Sequence, residues 1–299
     1  MKSISPRPNL FIIGAKKSGT SYLHTLLGQH PQVFMSNPKE PCFFIDQKQL
    51  KTIWPEMWRK GYWRNEKAYL NLFKSAREKP IIGESSADYT NYPILSGIPE
   101  RIRCFNNKSK LIYVMRDPIE RSISHYWMHV HYYGKVISPI KAIEQIPEIM
   151  NISYYAMQLN RFLQVFDRQQ IQAITYEELI RDPKAILKQI FGWLNIDDSF
   201  VPDNLNEAVN KGSSTIRAAK GYGFLFTLRD SSLWNAMAPL FPKAFRRMAA
   251  NLAVTYYEKS QVSMAELKDY LRKPFLPQVA ELEVLLRRDF CLWKTLYPQ

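Results

Sequence analysis

The segment NLFIIGAKKSGTSYLHTLLG, residues 9–28, decides which fold the chain can adopt. Its first part is a short apolar run that ends at Gly14, which is typical of a buried strand. From Thr20 onward, apolar residues recur at helical spacing until Gly28, the kind of residue that ends a helix. The segment therefore predicts a strand, a glycine-bounded loop and a helix, in that order.

The loop between Gly14 and Thr20 has the chemistry of a phosphate site. Successive backbone N–H groups in such a turn can surround a phosphate, and the helix N-terminus adds positive potential. Lys16 and Lys17 stand at that N-terminus, which is unfavourable for cations unless an anion neutralises them. Gly14 and Gly19 have the spacing of a Walker A loop, but Thr20 stands where that motif has its lysine. We predict a nucleotide-phosphate site that is not an ordinary kinase or ATPase loop; the alternative is a basic strand–helix turn without a ligand.

A second strand–helix junction follows the apolar run LIYVM, residues 111–115. Asp117, followed by a proline, predicts the start of a long helix. Arg116 would then leave the carboxyl end of a strand, where doubly wound folds bind ligands. Its planar guanidinium suits a phosphate, and the alternative for it is a salt bridge with Glu120.

Strands alternate with helices along much of the chain. Further strands are predicted near residues 32–36 and 171–175, and residues 80–89 are predicted as a short strand that runs into a polar loop. Helices are predicted near 153–167 and 182–194. This alternation favours a P-loop-like central parallel sheet with helices on both faces. We predict an α/β fold in a single domain spanning residues 1–299, with a helical C-terminal part.

The composition narrows the class of partner. Lysine and arginine number 41 against 27 acidic residues, which gives a net charge of +14. Such an excess favours polyanionic partners, among them phosphorylated or sulfated molecules, nucleic acid and anionic membranes. The basic residues are spread along the chain and form no single block, so we do not expect a nucleic-acid partner.

Cysteine usage and hydropathy suggest a compartment. The three cysteines have no close spacing, which argues against a zinc site or a disulfide framework and favours a reducing environment. The N-terminal apolar run is too short for a signal peptide, and no apolar stretch of about 18 residues is present. We expect a cytoplasmic protein with no transmembrane segment and no metal.

Several stretches resemble the sulfotransferases that use 3′-phosphoadenosine 5′-phosphosulfate (PAPS). GAKKSGTSYL (14–23) resembles the family's 5′-phosphosulfate loop, and VMRDPIERSISHYW (114–127) resembles its 3′-phosphate motif. TYEELIRDPKAILKQIFGWLNI (175–196) resembles the segment that follows the cofactor site, and residues 264–293 resemble the C-terminus of bacterial members. The likeness covers roughly residues 8–295, and the first two motifs together are specific.

The resemblance implies which residues hold the donor. Lys17 matches the lysine that contacts the bridging and leaving oxygens, with Lys16 as the alternative, and Arg116 with Ser124 matches the pair on the 3′-phosphate. The stretch 210–221 resembles the segment that closes over that phosphate; its alternative is a solvated loop. The implied cofactor-binding set is Lys16, Lys17, Ser18, Gly19, Thr20, Ser21, Arg116, Ser124, Lys211, Ser213 and Arg217.

The resemblance also implies a general base. NPKEPCFF (37–44) resembles the family segment whose glutamate takes the acceptor proton, and Glu40 matches that glutamate; the alternative for it is a loop carboxylate paired with Lys39. GESSADY (83–89) occupies the place of a Glu-Lys-Ser/Thr-Pro segment, but Ser85 replaces its lysine. His129 is a further acceptor-site residue, one position beyond the place where some relatives carry a histidine.

We therefore expect a PAPS-dependent sulfotransferase. Its acceptor would be a hydroxyl, less readily an amine, on a carbohydrate, a lipid or a small metabolite. Loops at 45–79, 134–152 and 220–250 are expected to form the acceptor pocket. The rival interpretations are a P-loop kinase acting on a small molecule and a non-catalytic polyanion-binding protein.

Overall fold

The first five strands lie where the apolar runs predict them. The computed structural model describes residues 6–76, 78–133, 137–203, 205, 215–219 and 254–298. Its strands are β1 (Leu10–Gly14), β2 (Val33–Met35), β3 (Ile81–Ser85), β4 (Lys110–Met115), β5 (Ile171–Thr175), β6 (Thr215–Ala219) and β7 (Val254–Glu258).

Helices follow most of these strands. They are α1 (Thr20–Leu27), α2 (Gln47–Ile53), α3 (Pro55–Lys60), α4 (Glu66–Leu70), α5 (Ile98–Phe105), α6 (Pro118–Tyr133), α7 (Pro139–Gln145), α8 (Glu148–Asn151), α9 (Tyr155–Leu163), α10 (Tyr176–Arg181), α11 (Pro183–Leu194) and α12 (Ala265–Leu286). Short 3-10 turns include Ala87–Thr90, which follows β3, and Lys259–Gln261, which follows β7.

The first five strands form one parallel sheet in the order β2-β3-β1-β4-β5. This confirms the predicted α/β class with a central parallel sheet. Parallel strands bring their carboxyl ends to one edge of a sheet, and β1 lies between β3 and β4. The segments that follow Gly14, Ser85 and Met115 therefore meet at this edge, which brings together three of the motifs that the sequence singles out.

Both faces of the sheet are covered by apolar side chains. Along β1, Phe11 and Ile13 belong to one core cluster, whereas Leu10 and Ile12 belong to the other. All four side chains are fully buried. Alternate residues of a strand point to opposite faces, so a strand that is covered on both sides needs an unbroken apolar sequence. This is why β1 and β4 can be recognised from their sequences.

Two helix starts that the sequence predicts are confirmed. Asp117 Oδ1 accepts hydrogen bonds from the N–H groups of Ile119 (3.0 Å) and Glu120 (3.2 Å) at the start of α6. Asp182 Oδ1 accepts one from the N–H of Ala185 (3.0 Å) at the start of α11. The cap fixes where α6 begins. It therefore also fixes the position of Arg116, the residue directly before Asp117.

The structure differs from the prediction after residue 214. Residues 215–219, predicted as part of a basic loop, form β6, which pairs antiparallel with β7 in a separate two-stranded sheet. The partner strand is far away along the chain, so no local pattern announces the pairing. The predicted helical ending is present as α12. In the described ranges, no helix is both long and apolar enough to cross a membrane.

Candidate active site

The phosphate loop, Gly14 to Thr20, joins β1 to α1 at the carboxyl edge of the sheet. The N–H of Ala15 donates to the carbonyl of Val114 in β4 (2.7 Å), and the N–H of Ser18 donates to the carbonyl of Ala15 (3.1 Å). The first N–H groups of a helix have no intrahelical acceptors, and among the residues that the structure describes no side chain caps α1. The loop thus offers main-chain donors and a positive helix end to an anion.

Gly19 is required by the shape of this loop. Its φ of 87° lies in the left-handed region. A Cβ built at this position would lie 2.5 Å from the ring of Tyr176, which packs against the loop from the start of α10. A side chain here would therefore strain the backbone and also push the aromatic ring away.

We expect Gly19→Ala to destabilise the protein by at least about 1–3 kcal/mol, the usual cost of a strained backbone position. The melting temperature should fall by several degrees, as differential scanning calorimetry can measure. Gly28→Ala is the matched control, because Gly28 has a helical φ of −66° and its added Cβ would come no closer than 3.4 Å to another atom. Equal melting temperatures for the two variants would contradict this interpretation of the loop.

Lys16 is already neutralised by a carboxylate. Its Nζ lies 2.8 Å from both oxygens of Asp88, which stands in the turn after β3. Burial alone would lower the pKa of Lys16, but the Asp88 charge, helped by Glu40, more than offsets this and the pKa is raised. The Trp54 ring centroid lies 5.8 Å from the same ammonium. The ammonium is therefore held in place by its own ion pair.

Lys17 stands in a different environment. In the part of the chain that the structure describes, no carboxylate lies within ion-pair distance of it. Burial lowers the pKa of Lys17, and the neighbouring charges of Arg116 and Lys16, with a smaller effect of Lys259, lower it further. A bound anion would therefore stabilise the charged form of Lys17 more than that of Lys16, which already pairs with a carboxylate.

Arg116 lies against the phosphate loop. Its Nη1 donates to the carbonyl of Lys17 (3.3 Å), and its guanidinium lies 5.1 Å from the ring centroid of Tyr176. The Tyr155 hydroxyl fixes the main chain, because it donates to the Arg116 carbonyl (2.7 Å) and accepts from the Arg116 N–H (3.3 Å). The structure thus brings together the two predicted phosphate motifs.

Helix α6 also carries Ser124, His125 and His129. Ser124 and His129 are half-buried, and burial lowers the pKa of His129. His125 is buried and packs beside Arg121, whose Nη1 lies 3.2 Å from its Nδ1. In the described residues, no group of histidine, cysteine and carboxylate side chains could hold a metal ion.

Arg121 is a buried cation that the sequence analysis missed. Its guanidinium is fully buried and donates to the carbonyl of Lys16 (3.4 Å) and to the hydroxyl of Ser153. Burial lowers the pKa of Arg121 to about 10, so it remains charged at neutral pH. It therefore adds fixed positive charge directly behind the phosphate loop. An arginine and a histidine four residues apart on a predicted helix were the only local signal.

Glu40 is held beside the end of β3. Its N–H donates to the carbonyl of Ser85 (2.9 Å), and its Oε2 accepts from the N–H of Ala87 (2.8 Å). The other carboxylate oxygen pairs with Lys39, and the Glu40 charge acts on Lys16. Segments 37–44 and 83–89, which the sequence singled out separately, are therefore in direct contact beside the phosphate loop.

Ser85, which stands in segment 83–89 where the resembling family segment has a lysine, is hydrogen-bonded to a histidine. Its hydroxyl lies 2.7 Å from Nδ1 of His24, one turn into α1. Burial, with a smaller effect of Lys39, lowers the pKa of His24 to about 4. His24 is therefore neutral at physiological pH, and its positive neighbour on this side of the site is Lys39.

The buried Glu84 carboxylate is the centre of a hydrogen-bonded cluster next to the loop that carries Glu40. It accepts hydrogen bonds from the hydroxyls of Tyr89 (2.7 Å), Ser86 (2.7 Å) and Tyr69 (3.2 Å). Burial raises the pKa of Glu84 to about 7, although these three hydrogen bonds act in the opposite direction. Ser86 also accepts from the N–H of Cys42 (3.1 Å), so the cluster anchors the loop that carries Glu40.

Of the three phosphate contacts predicted in the stretch 210–221, only Arg217 lies in the described residues. Lys211, Ser213 and the expected acceptor loop 220–250 lie outside the described residues. Arg217 stands on β6 opposite Tyr256 and not in a loop. The sequence analysis missed Lys259, which follows β7 and acts electrostatically on Lys17.

The fold and the site define an α/β protein in which cations and main-chain donors gather at the loop between β1 and α1. A family model described as a sulfotransferase domain matches residues 7–215. The chain belongs to the sulfotransferase family, and the family predicted from its motifs is confirmed.

The curated relatives that the chain matches are also named as sulfotransferases. The chain is 31% identical over 132 residues to membrane-associated sulfotransferase kil1 of Dictyostelium discoideum, covering 44% of this chain and 25% of that protein. It is 26% identical over 225 residues to heparan sulfate glucosamine 3-O-sulfotransferase 3A1 of Mus musculus, covering 72% of this chain and 53% of that protein. The chain thus spans about half the length of the second protein and about a quarter of the first.

A solved structure supports the fold. The sulfotransferase from Alicyclobacillus acidocaldarius superposes with a TM-score of 0.69 at 24% sequence identity, covering 97% of this chain and 99% of that one. At this level of identity the likeness concerns the architecture, including the central parallel sheet.

Proposed function

We propose that the protein transfers the sulfuryl group of PAPS to a hydroxyl of a carbohydrate, a lipid or a small metabolite. The observation that carries this proposal is the contrast between the two loop lysines. Lys16 is held by Asp88, whereas Lys17 faces other cations. Together with Arg116, which donates to the same loop, Lys17 provides positive charge that a phosphate would neutralise.

The two ends of the donor would be held from two strands. After β1, the Lys17 ammonium and the N–H groups at the start of α1 would bind the 5′-phosphosulfate. On β4, Arg116 would bind the 3′-phosphate through its planar fork, with Ser124 from α6 beside it. The buried charge of Arg121 would strengthen both contacts, because a cation in a dry environment is only weakly screened.

The transfer step needs a base and a stabilised leaving group. Glu40 would take the proton of the acceptor hydroxyl while the acceptor oxygen bonds to sulfur. The bond between sulfur and the bridging phosphate oxygen breaks, and Lys17 would stabilise the negative charge that grows on the departing phosphate. 3′-Phosphoadenosine 5′-phosphate leaves as the second product.

The acceptor would bind between Glu40 and the segment 45–79, which is rich in tryptophan and tyrosine. Trp54 reaches the phosphate loop through its contact with Lys16, and an indole face can cover a sugar ring. The names of relatives such as carbohydrate sulfotransferase 15 of Homo sapiens also favour a carbohydrate. A lipid or small metabolite remains the alternative, and His129 is a further residue proposed for this side.

A transfer assay with sulfur-radiolabelled PAPS tests this function. The protein should move label to at least one member of a panel of hydroxylated glycans, lipids and metabolites, without added metal. Radiolabelled ATP with magnesium serves as the parallel donor, because a P-loop kinase would use it. Transfer from ATP and none from PAPS would overturn the proposal in favour of the kinase.

A further inference from the structure

The Glu120 carboxylate lies between Arg116 and the C-terminal segment. Its Oε2 is 3.9 Å from Nη2 of Arg116. The salt bridge expected as the alternative role of Arg116 is thus present as a long ion pair, but this distance is beyond that of a hydrogen bond. Glu120 follows Arg116 by four residues, so a change of rotamer could bring its carboxylate onto the guanidinium. The separation therefore needs a cause.

The cause is visible on the other carboxylate oxygen. Thr295 donates its hydroxyl hydrogen to Glu120 Oε1 at 2.9 Å. The Nζ of Lys268, on α12, lies 3.8 Å from the same oxygen. Both contacts come from the C-terminal part of the chain and hold Oε1, whereas Oε2 is the oxygen that lies nearer to Arg116.

Thr295 is itself firmly placed. The N–H groups of Thr295 and Leu296 both donate to Asp117 Oδ2 (2.9 and 3.0 Å), the carboxylate that also caps α6. The indole N–H of the buried Trp293 donates to Glu177 (3.0 Å). The contact with Glu120 is thus part of a fixed segment and is not a chance meeting of two exposed side chains.

We propose that Thr295 is a positioning residue for the nucleotide site: by holding Glu120, it keeps the Arg116 guanidinium open for the 3′-phosphate of the nucleotide. This rests on the proposed function, in which Arg116 binds that phosphate. A carboxylate that reached Arg116 would occupy the fork that a phosphate needs and would repel the phosphate as well.

Titration calorimetry with two nucleotides tests this role. Thr295→Val keeps the shape of the side chain and the main-chain bonds to Asp117 but loses the hydroxyl. We expect it to weaken binding of 3′-phosphoadenosine 5′-phosphate by about five- to tenfold, the scale of one charge-assisted contact. Binding of adenosine 5′-phosphate, which has no 3′-phosphate, should stay unchanged.

A second background separates positioning from general damage. In Glu120→Gln protein the competing charge is absent, so adding Thr295→Val should change neither affinity. If Thr295→Val weakens both nucleotides, or weakens the bisphosphate equally in the two backgrounds, the inference is wrong. If Thr295→Val does not fold, Lys268→Met tests the same claim, with the same loss expected and the same result overturning it. Failure of wild-type protein to bind the bisphosphate would instead refute the proposed function.

Discussion

Lys17→Ala should lower kcat by about 10²- to 10³-fold, the usual effect of removing one preorganised donor from a developing anion. Affinity for 3′-phosphoadenosine 5′-phosphate should change much less, because the main-chain donors of the loop and Arg116 remain. The reason is the position of Lys17 among cations, with burial and the charges of Arg116 and Lys16 lowering its pKa. Steady-state kinetics with labelled PAPS measures the effect.

Lys16→Met is the informative comparison. The Lys16 ammonium is already bound by Asp88 at 2.8 Å, so its removal should act mainly on stability. An uncompensated buried Asp88 would lower the melting temperature, whereas kcat would fall less than in Lys17→Ala. Normal turnover in Lys17→Ala together with a loss of kcat of about 10²- to 10³-fold in Lys16→Met would reverse the assignment of the two lysines.

Glu40→Gln should reduce kcat by about 10²- to 10⁴-fold, the range expected when a general base is lost. The amide keeps the shape of the side chain, and its oxygen can still accept from the N–H of Ala87, which now bonds to Glu40 at 2.8 Å. The melting temperature and the affinity for 3′-phosphoadenosine 5′-phosphate should therefore change little.

The exposed Glu56 of α3 provides the control for this substitution. Glu56→Gln removes the same charge without touching the site, and it should leave kcat unchanged. A Glu40→Gln enzyme that turns over like wild type would exclude Glu40 as the base and would move attention to His129.

The parts of the fold that the sequence predicts are those set by local chemistry. An unbroken apolar run specifies a strand that is buried on both faces, as in β1 and β4. Asp117 and Asp182 cap their helices through bonds to residues two or three positions away, so a short window contains all the information. The β6–β7 pairing joins distant segments, and a short window contains none of it.

The site follows the same division. Lys17 and Arg116 stand in motifs that directly follow predicted strands, whereas Glu40 was predicted because segment 37–44 resembles a family motif, and the roles of all three stay predictions. Arg121 and Glu84 were missed, since their surroundings come from neighbours that only the folded chain assembles, such as Ser153 and Tyr69.

The C-terminal contacts illustrate this limit further. No pattern around Thr295 or Leu296 indicates that their N–H groups meet Asp117, which precedes them by 178 and 179 residues. The sequence predicted a helical C-terminal part, and α12 precedes this segment. It did not predict that the segment ends against the residue next to Arg116.

The two-ended grip on a bisphosphorylated nucleotide is best tested by calorimetric titration of wild-type and Arg116→Gln protein. In wild type, 3′-phosphoadenosine 5′-phosphate should bind at least about tenfold more tightly than adenosine 5′-phosphate, which corresponds to about 1.4 kcal/mol. Arg116→Gln should lose most of that preference and keep its affinity for the monophosphate. Equal affinities of the two nucleotides for wild type, or a preference that survives in Arg116→Gln, would show that the guanidinium beside the phosphate loop does not hold the second phosphate.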